Sequence, residues 1–104
     1  MIVGGSPTPA PSGTDRFLFH VIDAQTANAI FDACMNVNNA QCTAPNLRTN
    51  LSGYAWFDLP STSSVSSYTF GFTHSLYVST QLTRTYTPGM GTVLFTVFMR
   101  RTGT

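Results

Sequence analysis

Apolar and polar positions alternate with period two along most of this chain from Arg16 onward. RFLFHVID sets Phe17, Phe19 and Val21 on one face and Leu18, His20 and Ile22 on the other. Both faces are largely apolar, as expected of a strand buried within stacked sheets. After the turn residues AQTAN, the segment 30–37 (IFDACMNV) predicts a second strand with Phe31, Ala33, Met35 and Val37 along one side. Residues 38–46 read as a polar loop closed by Pro45, and 47–51 as a short strand entering a turn at Ser52 and Gly53. In YAWFDLP, Ala55, Phe57 and Leu59 form the core face. Tyr54, Trp56 and Asp58 share the face that reaches water or a neighbouring subunit, and Pro60 ends the strand. Residues 67–74 stack Tyr68, Phe70 and Phe72. Residues 76–86 place Leu76, Val78 and Leu82 together, and 92–100 carry Val93, Phe95, Val97 and Met99. No segment sustains a 3.6-residue period. About seven short strands separated by turns predict a single all-β sandwich domain over 15–104.

Ahead of it, residues 1–14 are rich in Gly, Pro, Ser and Thr. They read as an extended N-terminal arm, either a tail or a segment that docks on a neighbouring subunit. The arm has neither the basic nor the apolar region of a signal peptide. The expected setting is therefore the interior of the producing cell, a trimmed precursor, or a particle assembled in a host and then released. No run approaches the ~20 apolar residues of a membrane span.

Composition sharpens the surface more than the core. Hydrophobic residues make up 42% of the 104, which is ordinary, but charged residues make up only 9%, against the usual ~25%. Lys and Glu are absent; four Asp and five Arg are the whole complement. Ser, Thr and Asn must therefore cover the surface, and they favour pleated strands and turns. A weakly charged surface is poorly protected against association, so much of it is expected to meet other chains. A net charge of +1 with scattered Arg gives no electrostatic case for nucleic acid.

The order of signals VIDAQTANAIFDACMNV, RTNLSGYAWFDLP and SYTFGFTH resembles the carboxypeptidase regulatory-like domains, of the transthyretin-like (prealbumin-like) group. The positions that carry the likeness are Val21, Asp23, Thr26, Ile30, Ala33, Thr49, Gly53, Tyr54, Phe57, Tyr68, Gly71 and Phe72. Ala27 and Asn28 depart from it, standing where the family prefers Gly and a Pro-like residue. The resemblance spans about residues 17–100. It implies an Ig-like sandwich and an accessory module with no active site of its own.

Candidate chemistry is sparse. Cys34 and Cys42 bracket MNVNNAQ; a disulfide across that loop is feasible, and two separate reduced thiols are the alternative. With His20 and His74 they offer four zinc-ligand types, but the spacings match no zinc motif, so no metal or other cofactor is expected. The four Asp are dispersed, and acid–base catalysis needs two brought together. Asp23 and Asp32 flank the first turn, where turn chemistry outweighs weak calcium binding. Asn50, Leu51 and Ser52 have the form of a glycosylation sequon, and Arg100 and Arg101 close the last strand.

The expectation is a non-enzymatic structural subunit of a larger assembly, best suited to a virion. A capsid decoration (cement) or tail component of a phage or similar virus would act there through subunit contacts, with Tyr54, Trp56 and Asp58 as candidate interface residues. The alternatives are an extracellular module binding carbohydrate or a cell surface through exposed aromatics, and a subunit of a secreted surface filament whose arm completes a neighbour's sheet.

Overall fold

The β-branched and aromatic alternation after the N-terminal arm forms a ten-residue strand, β1 (Thr14–Asp23), in a computed structural model that describes residues 8–103. Residues 1–7, half of the expected arm, lie outside the described residues. Strands β2 (Cys34–Val37), β3 (Tyr54–Pro60), β4 (Ser66–His74), β5 (Tyr77–Tyr86) and β6 (Thr92–Met99) follow, with a single 3-10 turn at Pro45–Leu47. The described residues thus hold six strands in two three-stranded sheets, ordered β3-β1-β6 and β2-β4-β5. In the first sheet β1 is central, antiparallel to β3 and parallel to β6. In the second, β4 is central between two antiparallel partners.

The core lies between the sheets and is largely aromatic. Phe17 and Phe19 point inward from β1 and meet Phe70 of β4 at ring-centroid distances of 5.0 and 4.7 Å. Phe72 stands edge-on to Phe19 at 5.3 Å, and Phe95 of β6 lies beside both β1 rings. Val21, Ile30, Ala33, Met35, Ala55, Tyr86, Val97 and Met99 complete the buried apolar set among the described residues. The inward residues of β3 and β6 are Ala55, Phe57 and Leu59, and Val93, Phe95, Val97 and Met99, the faces expected from the alternation.

Four expectations are corrected. The strand expected at 30–37 begins only at Cys34, because Asp32 takes a left-handed φ of 64° that breaks the extended run. Phe31 is consequently left 51% exposed. The strand expected at 47–51 is instead the end of the 3-10 turn followed by one isolated bridge, Cys34 to Arg48. The second face of β1 is not a buried layer: Leu18, His20 and Ile22 are only half-buried on the outside of the first sheet. At the start of β5, Leu76 just before the strand and Val78 within it are exposed, while Tyr77 packs against the core. The register shifts at Phe72 and His74, where Val78 and Ser79 together oppose Thr73, a β-bulge.

Gly53 fixes how β3 enters the first sheet. Its φ of 83° suits glycine, and its carbonyl accepts the Val21 amide at 2.8 Å. A Cβ there would lie 2.6 Å from the Val21 carbonyl oxygen. Gly53→Ala therefore combines left-handed strain with a backbone clash and is expected to cost about 3 kcal/mol. Gly13→Ala, at a similar φ of 77° with open space around it, should lose only about 1 kcal/mol. Urea unfolding of the two variants checks the ranking, and equal losses would refute the clash.

Candidate functional site

The outer face of the first sheet gathers the residues with most interaction potential. Cross-strand register lines up Trp56, Leu18 and Leu94 in one row, Tyr54, His20 and Thr96 in the next, and Ile22 beside Phe98. Leu94 and Phe98 are 55% and 60% exposed, so the face presents contiguous apolar and aromatic surface. His20 and Tyr54 stack with centroids 4.5 Å apart and planes 13° from parallel.

One end of this face is closed by Arg16. Its Nε and Nη2 donate to Asp58 Oδ1 and Oδ2 at 2.7 and 2.9 Å, a bidentate pair. Its Nη1 donates to the Thr8 carbonyl, and the guanidinium lies 5.1 Å over the Trp56 ring. Arg16 is 4% exposed although it points outward. Of the three candidate interface residues, then, Asp58 is committed to Arg16, Trp56 lies beneath the guanidinium, and Tyr54 stacks on His20. Thr8 and Pro9 border a shallow depression shared with Arg16, Leu18, Tyr54, Thr92 and Leu94.

The remaining charges do structural work that alternation alone does not announce. Asp15 is buried and points inward with Phe17. It accepts from the Tyr86 hydroxyl at 2.6 Å and from the Gly89 and Gly91 amides at 2.9 and 3.0 Å. At the other end of β1, buried Asp23 accepts the Gln25 and Thr26 amides on Oδ1 and the Tyr77 hydroxyl on Oδ2 at 2.8 Å. Turn chemistry is thus what Asp23 supplies. The two carboxylates are eight residues apart on one extended strand, roughly 27 Å, so they cannot act as a pair. The missed signal was their spacing: Asp15 and Asp23 share the parity of Phe17, Phe19 and Val21.

These contacts displace the titrations. The Tyr86 hydroxyl, then the Gly89 and Gly91 amides, hold the Asp15 carboxyl below its ordinary 3.8 despite burial. The Gln25 amide, the Tyr77 hydroxyl and the Thr26 amide do the same for Asp23. Burial first, then Asp15, pushes Tyr86 from 10.0 up to about 12, and burial with Asp23 raises Tyr77.

Cys34 and Cys42 are joined by a disulfide, with Cα atoms 5.7 Å apart, that pins the 38–44 loop to β2. Beside it, Asp32 pairs with Arg48 at 3.1 Å on the surface. His74 accepts the Leu76 amide on Nδ1 and donates from Nε2 to the Phe31 carbonyl. Asn50 Oδ1 accepts the Ser52 and Tyr54 amides, so the sequon asparagine shapes the turn into β3. Among the described residues, no three His, Cys, Asp or Glu side chains gather as a metal site.

No protein-family model matches the chain, and no curated protein matches it at a significant level.

The folded carboxylates bind fewer protons than the unfolded chain near and below pH 3.8, so stability should fall as pH drops below about 4. Folded Tyr86 keeps its proton where the unfolded chain loses it, so stability should also fall as pH rises from 10 to about 12. Tyr86→Phe should lower Tm on the plateau between by about 4–8 °C and flatten the alkaline limb. Thermal melts across pH check both, and an unchanged alkaline limb would refute the linkage. Reducing the Cys34–Cys42 bond releases a short loop and should cost about 2.5 kcal/mol, read as a lower urea midpoint with dithiothreitol.

Proposed function

We propose that this chain is a non-enzymatic structural subunit that works through contacts with other protein subunits, made by the outer face of the first sheet. The observation that carries the reading is the exposure of Leu94 and Phe98 beside Leu18, Ile22, Tyr54 and Trp56. Exposed apolar and aromatic side chains gathered on one sheet face mark interaction sites on proteins that otherwise present polar exteriors. The chain's scarce charges sharpen the contrast. Asp15, Arg16 and Asp23 are buried, so little charge is left to solvate this face.

A virion is the setting we propose, with the subunit decorating a capsid or forming part of a tail. The paired sheets suit an Ig-like sandwich of the transthyretin-like type, a small rigid brick that can be repeated in a lattice. The disulfide adds stiffness and favours a final location outside a reducing cytosol.

Sedimentation velocity over a concentration series tests the reading directly. Wild type is expected to assemble with rising concentration. The double variant Leu94→Ser, Phe98→Ser should stay folded by circular dichroism and associate at least about tenfold more weakly. A chain that remains monomeric and instead binds an immobilised glycan in a Trp56-dependent way would overturn the subunit reading in favour of a carbohydrate-binding module.

A further inference from the structure

Strand β6 has one edge paired and one edge open. In a strand the N–H and C=O of each residue point to the same side, and successive residues alternate. Gly91 O accepts the Arg16 amide and Met99 O accepts the Ala24 amide, each at 2.9 Å, so the odd-numbered residues of this stretch face β1. Thr92, Leu94, Thr96, Phe98 and Arg100 therefore face the other side. Arg100 O accepts the Val78 amide at 2.8 Å, where β5 begins. Between Thr92 and Phe98, no described strand pairs with that edge.

The other edges are guarded. Along β3, the Asn50 amide donates to Tyr54 O and Asn46 Nδ2 donates to Trp56 O at 2.8 Å. Short β2 is bridged by Arg48 and tied by the disulfide. Strand β5 is twisted by the bulge in its ladder with β4 and carries Arg84, whose guanidinium lies 5.3 Å over the Phe95 ring. Bulges, charges and covering loops are the usual defences of edge strands. By contrast β6, TVLFTVFM, has no charge, no proline and no bulge from Thr92 to Met99.

We propose that β6 pairs antiparallel with β6 of a second copy of this chain, across a twofold axis beside Thr96. Only the edge-facing residues can exchange bonds; among the registers that allow this, the one that sets Thr96 against Thr96 of the second copy also sets Leu94 against Phe98, the two most exposed apolar side chains of the strand. Three such pairs exchange about six backbone hydrogen bonds. Opposed residues share a face, so each exposed Leu94 covers an exposed Phe98 and the two apolar faces become one. Pairing stops beyond Phe98, because Val78 already occupies the site at Arg100. Because β6 carries no charge of its own, and the Arg84 guanidinium lies over Phe95 on the inner side of the sheet, the side chains opposed on the outer face include no like charges, which favours a second copy over a charged foreign strand. This inference rests on the subunit reading and specifies one of its contacts.

Cross-linking in the intact chain tests it. Hydrogen-bonded antiparallel residues lie about 5.5 Å apart at Cα, within disulfide range. Thr96→Cys should therefore give a disulfide-linked dimer under mild oxidation. Leu94→Cys, which faces Phe98, should give little. Thr96→Lys opposes two like charges and should raise the dimer dissociation constant by about fivefold in sedimentation equilibrium, with the circular dichroism spectrum unchanged. Equal cross-linking at both positions, or a dimer indifferent to Thr96→Lys, overturns the edge pairing and leaves assembly through the sheet face standing. A wild-type monomer at every concentration also overturns the pairing, whereas glycan binding through Trp56 would overturn the subunit reading itself.

Discussion

Both ends of β1 are anchored to β5 in the opposite sheet by a buried carboxylate that accepts a tyrosine hydroxyl. Apolar packing between two sheets is strong but non-directional, so it leaves their relative slide poorly defined. Asp15 to Tyr86 and Asp23 to Tyr77 supply the direction. A buried carboxylate is costly unless its acceptor sites are filled, and here backbone amides fill them: Gly89 and Gly91 at one end, Gln25 and Thr26 at the other. Each anchor therefore also shapes a turn. The turn from β5 to β6 closes on Asp15, and the turn after β1 closes on Asp23.

The two anchors impose a condition on β5 that explains its irregularity. The aspartates are eight residues apart, an even spacing that keeps both on the inner face of β1. Tyr77 and Tyr86 are nine apart, an odd spacing that would put them on opposite faces of a regular strand. The bulge at Val78 and Ser79 absorbs the extra residue, so both rings turn inward. The same bulge expels Val78 to the surface, although a strict count from Leu82 places it in the core.

Much of the fold was legible because most strands keep strict alternation. Phe17, Phe19 and Val21, and Val97 and Met99, lie where period two puts them. What sequence reasoning lost, it lost wherever one residue broke the period: Asp32 at positive φ shortened β2, and the bulge reversed Val78 and Tyr77. Polar roles were harder still. Asp15 and Asp58 look alike as isolated acids near strand ends, yet one caps a buried tyrosine and the other neutralises Arg16 across the strands. Such partners are distant in sequence, and only pairing register brings them together. The outer apolar face is visible as a pattern, Leu18 and Ile22 on the second face of β1, but the pattern implies a buried layer because nothing local distinguishes a layer covered by its own chain from one left open.

That ambiguity is itself physically informative. A strand with two apolar faces asks for cover on both sides, and the described residues supply an aromatic core on one side only. At one end of the outer face it supplies the Arg16–Asp58 pair, with Trp56 under the guanidinium and Thr8 on its remaining nitrogen. At the other end, Ile22 and Phe98 have no comparable cap. The gradient runs from a closed, charge-paired end to an open, apolar one, and the unguarded stretch of β6 runs the length of this face, from Thr92 beside Arg16 to Phe98 beside Ile22. An edge and a face left bare on the same strand are more economically covered together than separately. A strand that adds to β6 also brings a side chain alongside Phe98, whereas a partner resting on the face alone would leave the N–H and C=O groups of Leu94, Thr96 and Phe98 to water.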